Sequence, residues 1–313
     1  MSKLQFFLRP EQDGQRVSTL LRRDCHCSAR LVKQLKYRPD GILLDGQRVF
    51  LDHRAAAGQT LTLHLPPDPP SDLEPVEHPL DLFFEDEHLL IVNKPPLVPV
   101  HPSPGHHRDS LGNFLTWHYR TQGEHHTYRP VNRLDRSTSG LLCVAKHAYA
   151  QERLKVQLHS RQFRRRYLAL CDGAVTPEEG TIRAPIGRME GSVLKREVRA
   201  DGAPSVTHYR RLWTDGVRSL VLLELETGRT HQIRVHLAHL GFPLAGDFLY
   251  GTEQPDLLAR TALHSYFLSL LHPVTGMPLT YFAPLPADMA ALIPQEIEIH
   301  LGAASPEVID HDH

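Results

Sequence analysis

The chain has 313 residues, 41% hydrophobic and 23% charged, with a formal net charge of −1, a balance that suits burial of a sizeable core in one large or two unequal domains. No apolar run approaches the roughly 18 residues a bilayer helix needs, which excludes a helix-spanning protein, and the N-terminus lacks the basic–apolar–small order of a secretory signal, so none is expected. Four cysteines without paired CxxC spacing exclude a disulfide scaffold and a structural zinc site, which points to a reducing cytoplasm.

The small net charge conceals blocks. Residues 1–65 carry 11 Lys+Arg against 6 Asp+Glu, residues 66–100 carry 1 against 8, residues 101–170 carry 12 against 4, and residues 171–313 carry 11 against 18. Two basic blocks divided by acidic ones read either as two contact zones for one polyanion or as plain surface patterning.

Val17, Leu20 and Leu21 stand at helical spacing. Ser28 is an N-cap for a second helix with Leu31, Val32 and Leu35 on its apolar side, and Arg30, Lys33 and Lys36 draw one basic stripe along it. Ile42–Leu44, an Asp45-Gly46 turn and Val49–Leu51 read as a hairpin, because Asp-Gly suits the positive φ of a type I′ turn. Thr60–Leu65 follows as a third strand. The proline-rich, acidic stretch from Pro66 to Pro75 favours an extended linker. Beyond it, Leu80–Glu85 and Leu89–Asn93 read as a hairpin, Leu141–Ala145, Arg166–Leu170 and Leu220–Glu226 as strands, and Tyr149–His159 as a helix. The absence of G-x-G-x-x-G, a P-loop and H-E-x-x-H removes the usual support for dinucleotide, nucleoside-triphosphate or zinc-protease chemistry. An α+β domain on a largely antiparallel sheet fits this order.

Two clusters carry chemistry. In Val131-Asn132-Arg133-Leu134-Asp135-Arg136-Ser137-Thr138-Ser139-Gly140, one carboxylate lies among two arginines and three hydroxyls, directly ahead of an apolar strand. Neighbouring cations keep a carboxylate ionised, as a nucleophile requires; the alternative is that Asp135 merely turns a loop. In the second cluster, a strand ends at Thr227-Gly228 and a helix then runs to Gly241 as its C′ residue, with Ile233, Leu237 and Leu240 as its buried stripe. His231 and Arg234 share another face. Gly228 ahead of a helix start with Arg229 and Thr230 reads as a phosphate site, as an arginine paired with a buried carboxylate, or as an ordinary amphipathic helix. The 22 histidines, including His106-His107 and His125-His126, lack metal-ligand spacing and read as loop residues.

Together these blocks resemble the RluA-type pseudouridine synthases. The family signature H-R-L-D-x-x-T-S-G stands here as Asn132 to Gly140, with asparagine in place of the histidine. Val92-Asn93-Lys94-Pro95-Pro96 with Val100-His101-Pro102, Arg165-Arg166-Tyr167-Leu168-Ala169, and Gly228-Arg229-Thr230-His231-Gln232-Ile233-Arg234-Val235-His236 match further blocks. So do Gly246-Asp247 with Tyr250-Gly251, Leu263-His264, and His272-Pro273. The resemblance covers about residues 80–286. Before it, Ser28 to Val32 followed by Gly41 to Gly46 resembles an S4 RNA-binding domain.

The resemblance implies an α+β catalytic domain (80–301) on a mixed, largely antiparallel sheet flanked by helices. A small α/β S4-like domain (1–65) and a linker (66–79) precede it, and a C-terminal tail (302–313) follows. It implies an RNA uridine isomerase that breaks the N1–C1′ bond and rejoins uracil through C5 without metal or organic cofactor. Asp135 would be the essential nucleophile or base, Arg234 its ion-pair partner, and Tyr167 the side chain against the uracil face. Arg133, Arg136, Arg229 and His231, with the Arg30, Lys33 and Lys36 stripe, would contact RNA. Ribosomal RNA of the large subunit is the expected substrate, with transfer RNA as the alternative, and the expected state is a monomer. Activity is expected to survive Asn132. A non-catalytic RNA-binding protein on the same scaffold would have no need for Asp135, Tyr167 and Arg234 together.

Overall fold

A computed structural model of the chain describes residues 3–69 and 71–297. The expected tail from residue 302, and residues 298–301 ahead of it, lie outside the described residues.

The N-terminal part forms a four-stranded sheet of order β1-β4-β2-β3. Its first strand, β1 (Lys3–Phe7), was not among the expected elements; it alternates over only five residues, with Leu4 and Phe6 turned inward and Lys3, Gln5 and Phe7 outward. A helical stretch through Val17–Thr19 and Leu20–Asp24 buries Val17, Leu20 and Leu21 as their spacing predicts. In helix α1 (Ala29–Lys36), the Ser28 hydroxyl accepts the Leu31 amide at 3.3 Å, so the expected cap is formed. Strands β2 (Ile42–Leu44) and β3 (Gln47–Arg48) join through Asp45 (φ 48°) and Gly46 (φ 80°), the two positive φ angles a type I′ turn demands. The expected return strand at Val49–Leu51 is thereby corrected: a two-residue turn sets Gln47 opposite Leu44, and Leu51 leaves the ladder to accept the Ser18 amide. Strand β4 (Thr60–His64) buries Leu61 and Leu63. The core of this sheet is completed by Tyr149 from the rest of the chain, whose hydroxyl donates to the Cys25 carbonyl at 2.8 Å.

Residues 66–69 and 71–80 contain neither helix nor strand, yet they are fastened down. Asp68 takes a two-pronged bond from Arg129, the Glu74 carbonyl accepts from Asn113 at 2.8 Å, and Leu73 packs on the main core.

A ten-stranded sheet then dominates. Strands β5 (Asp81–Glu85) and β6 (Leu89–Lys94) lead to helix α2 (Leu111–Thr121), and β7 (Arg129–Pro130) and β8 (Ser139–Ala145) to helix α3 (Ala148–His159). Strands β9 (Arg164–Asp172) and β10 (Glu179–Arg183) come next, then a separate ribbon of β11 (Ile186–Arg188) and β12 (Arg196–Val198). Strands β13 (Val206–Thr214) and β14 (Arg218–Leu225) precede helix α4 (Gln232–His239), and β15 (Leu263–Leu271), β16 (Pro278–Phe282) and helix α5 (Ala287–Ala290) follow it. Every pairing is antiparallel except β15 against β8, which makes the sheet mixed and largely antiparallel.

Strand β8 is buried along its whole length because both faces are covered, which explains its unbroken apolar run. Leu142 and Val144 pack with Leu111 and Leu115 of α2, whereas Leu141, Cys143 and Ala145 pack with Ala150 and Leu154 of α3. Among the described residues no helix is long and apolar enough to cross a membrane.

Helix α4 departs from expectation at its start. It begins at Gln232, not after Gly228, because the Gln232 side chain folds back to accept the Arg229 amide and the Thr227 hydroxyl, at 3.0 and 2.8 Å. The Arg229 amide is thus already satisfied, which corrects the reading of this turn as an open phosphate nest. The helix is not amphipathic either, since every residue from Gln232 to Leu237 is buried. Gly241 does end it, with φ 88°.

Candidate active site

The loop ahead of β8 exposes its backbone to the core, and its carbonyls need donors. Two buried cations supply them. Lys94, with no exposed surface, donates to the carbonyls of Pro95, Val98 and Arg136 at 2.8, 2.8 and 3.2 Å. Burial, and then the nearby Arg260 charge, pull its pKa down to about 7. Arg260 donates to the Ser137 carbonyl at 3.2 Å and is itself forked onto Asp288 of α5 at 2.7 and 2.9 Å. Asn132 faces the strand, where its Oδ1 accepts the Cys143 amide at 2.9 Å, so the asparagine pins the loop to β8. Gly140 (φ 109°) is required at the exit, because a Cβ there would lie 2.3 Å from the Ser265 carbonyl oxygen on β15.

This loop presents Asp135, whose side chain is 27% exposed. Arg234 Nη1 lies 3.4 Å from its Oδ2 and His231 Nε2 lies 3.9 Å from the same oxygen. Arg234 has a tighter partner that sequence reasoning did not assign. Its Nε and Nη2 bind the two oxygens of fully buried Asp247 at 2.7 Å each, a fork-to-fork bond. Burial works against the Arg234 charge, and the Asp247 bond outweighs it and raises the pKa. Asp247 also accepts the amides of Leu249 and Tyr250, in a turn that Gly246 (φ 67°) permits by letting the Arg260 carbonyl approach. The expected Asp135–Arg234 pair is therefore a triad in which Asp247 holds Arg234 and Arg234 orients Asp135.

His231 sits in the left-handed region (φ 57°) at the head of α4, which turns its ring toward Asp135. Its Nδ1 is 2.9 Å from the Tyr250 hydroxyl, which accepts the Arg196 amide at 2.9 Å and so has its own proton to donate to Nδ1. With the Tyr250 proton donated to Nδ1, the imidazole proton would sit on Nε2, on the Asp135 side. Burial lowers the His231 pKa and keeps the ring neutral.

Two cavities meet at Asp135, His231 and Arg234. One, of about 60 Å³, is walled by Tyr167, Leu134, Ile233 and Leu263, with Arg133 and Arg229 at its edge. Tyr167 is buried, and burial raises its pKa; its hydroxyl has Ser265 and Arg165 as hydrogen-bond partners. The other, of about 430 Å³, is a cleft bordered by exposed Arg136, whose Nε donates to the Leu97 carbonyl at 3.1 Å. The structure thus brings Asp135, Tyr167, Arg133, Arg229, His231 and Arg234 around one pocket and Arg136 around its neighbour. Arg30, Lys33 and Lys36 stand exposed on α1, away from both. Lys94 and Arg260 escaped the sequence reading as site residues. Lys94 was visible as part of the Asn93-Lys94-Pro95 block, but nothing marked Arg260.

Comparison with known proteins agrees with this arrangement. The sequence profile of the RNA pseudouridylate synthase family matches residues 88–239. An uncharacterized RNA pseudouridine synthase of Bacillus subtilis, YjbO, is 41% identical over 272 residues, covering 86% of this chain and 95% of that protein. Ribosomal large subunit pseudouridine synthase D of Xylella fastidiosa is 38% identical over 265 residues, covering 80% of each chain. The solved structure of human RNA pseudouridylate synthase domain containing 1 superimposes with a TM-score of 0.56 at 27% identity, covering 74% of this chain and 98% of that one. The chain belongs to the RluA-type RNA pseudouridine synthases, and it is an RNA uridine isomerase.

Proposed function

We propose that Asp135 is the residue with which this pseudouridine synthase detaches the uracil, and that its substrate is large-subunit ribosomal RNA. The observation that supports Asp135 is its place at the junction of the two cavities, beside a guanidinium already neutralised by Asp247. Arg234 orients Asp135 at 3.4 Å without locking it into a tight pair, which leaves the carboxylate available as a nucleophile or base. The uracil occupies the small pocket against Tyr167. The N1–C1′ bond breaks with its electron pair leaving on the uracil, the ring turns, C5 bonds to C1′, and the C5 proton is lost while N1 regains one. Atoms and electrons balance within the substrate.

Reaching a base inside folded RNA requires unstacking it, at a cost of a few kcal/mol. Arg133 and Arg136, exposed at the mouths of the two cavities, fill the vacated space or hold flanking phosphates. Arg229 and His231 contact the same nucleotide. Residues 1–65 act as an S4-like domain that grips RNA through Arg30, Lys33 and Lys36, joined by residues 66–79 to the catalytic domain. The relatives named for the large ribosomal subunit support ribosomal over transfer RNA.

The test is tritium release from RNA carrying [5-³H]uridine, with ribosomal and transfer RNA pools assayed separately and Asp135→Asn as control. Release from the ribosomal pool by the native protein, abolished in the variant, is the expected result. Release from the transfer RNA pool alone moves the substrate. Release that persists in Asp135→Asn removes Asp135 from its role.

A further inference from the structure

Three large apolar side chains from distant parts of the chain stand exposed around the wider cleft: Leu97 at 45%, Leu194 at 64% and Phe248 at 57%. Single exposed apolar residues are ordinary, but their convergence on one cleft marks an interaction site. Each is also anchored to the Asp135 site. Leu97 lends its carbonyl to Arg136. Leu194 lies in the turn between β11 and β12, and two residues later the Arg196 amide bonds the Tyr250 hydroxyl that holds His231. Phe248 follows Asp247 directly, and the Arg234 guanidinium lies 5.6 Å from its ring centre. Leu97 adopts φ 65°, a left-handed conformation that is strained for a branched, bulky residue. Such strain persists at ligand clamps.

We propose that Leu97, Leu194 and Phe248 form a subsite for the unpaired nucleobases on either side of the target uridine. This rests on the reading of the protein as an RNA uridine isomerase with its reaction centred at Asp135. The chemistry of the cleft selects that occupant. Apolar walls take the faces of unstacked bases, and Arg136, exposed at the edge of the same cleft, can meet a phosphate between them, whereas Arg234 and Arg260 are already answered by Asp247 and Asp288. A buried peptide side chain would use the walls but leave Arg136 unused. Unstacking the uridine exposes its neighbours as well, and a surface that receives them recovers part of that cost.

The probe is a pair of synthetic RNA hairpins whose loops centre on one uridine. One carries purines at the flanking positions, the other abasic sugars there with the same number of phosphates. The native protein should bind the purine loop more tightly by at least about 5- to 150-fold, the range for stacking of one of the two bases. Leu97→Gly, Leu194→Ser and Phe248→Ser combined should abolish that preference and leave affinity for the abasic loop unchanged. Leu97→Gly also relieves the left-handed strain, so on its own it should keep or raise Tm while lowering the preference, which separates binding from folding. Asp135→Asn should retain the preference, so a failed tritium assay and a failed subsite give different patterns. Equal affinity of the native protein for both loops overturns the proposal, as does a preference untouched by the rim variants. Rim variants that change only the oligomeric state assign the patch to a second copy of this chain and overturn it too.

Discussion

The two ends of the molecule use cations in opposite ways. In the large sheet, Lys94, Arg234 and Arg260 are almost wholly buried and bind protein carbonyls or carboxylates. On α1, Arg30, Lys33 and Lys36 project into solvent on one side of a helix whose other side is core. A buried cation acts over one bond length and fixes geometry, so its loss is large and local. An exposed cation acts through a screened field, so its loss is small and depends on salt. The contrast separates residues that shape the site from those proposed to gather the substrate.

The buried half of that comparison breaks most visibly at Asp247. Asp247→Asn leaves Arg234 buried with half its fork unanswered, and the expected cost is about 3–5 kcal/mol of stability. The same change frees Arg234 to close on Asp135, and a misplaced carboxylate costs on the order of 100-fold in turnover. Chemical denaturation and single-turnover tritium release measure the two effects separately. Full activity in a destabilised variant would reduce Asp247 to a packing role.

Lys94 and His147 give the comparison a pH axis. Lys94 is held at about 7 in the folded protein against 10.5 when unfolded, so the unfolded chain binds the extra proton between those values. Stability contributed at this site therefore rises with pH from about 7 to 10.5, and Lys94→Met should lack that slope in urea titrations. His147 caps α3 by accepting the Ala150 amide on Nδ1, and its Nε2 lies 3.0 Å from His88 Nδ1. Burial, then the neighbouring His88, lower it from 6.5 to about 3. Its folded pKa is depressed, so stability is complete above pH 6.5 and is lost as pH falls toward 3. His147→Asn keeps a capping oxygen and removes the titration, so its acid unfolding should be shallower. An unchanged acid limb would place the proton uptake elsewhere.

What was legible in the sequence follows the same division. Contiguous blocks announced Asp135, Arg234 and His231, because residues close in sequence at a loop or a helix head also share a site. The unbroken apolar run of β8 and the Asp45-Gly46 turn were legible because local geometry dictates them. Long-range side-chain to backbone bonds were not. The delayed start of α4 depends on Gln232 folding back to the Arg229 amide, and the Asp135 loop depends on Lys94 and Arg260 reaching carbonyls from other segments. Neither leaves a periodic trace. Asn132 was legible only as a departure from a family pattern; its reason, a bond to the Cys143 amide, lies across the strand.

The exposed half of the comparison carries the smallest effect and the sharpest signature. Replacing Arg30, Lys33 and Lys36 together with Gln should leave stability within about 0.5 kcal/mol, since surface substitutions away from special features rarely exceed that. Turnover on bound RNA should not change, because none of the three lies at the Asp135 cavities. Affinity should fall, and the plot of log K against log salt should become shallower by about 0.7 for each phosphate that is no longer neutralised, or about 2 for all three. Lys94→Met, by contrast, should lower activity without altering the salt slope. A triple variant with an unchanged slope would mean that α1 faces water in the complex, and the basic residues at the mouth of the Asp135 site would then have to supply the electrostatic affinity alone.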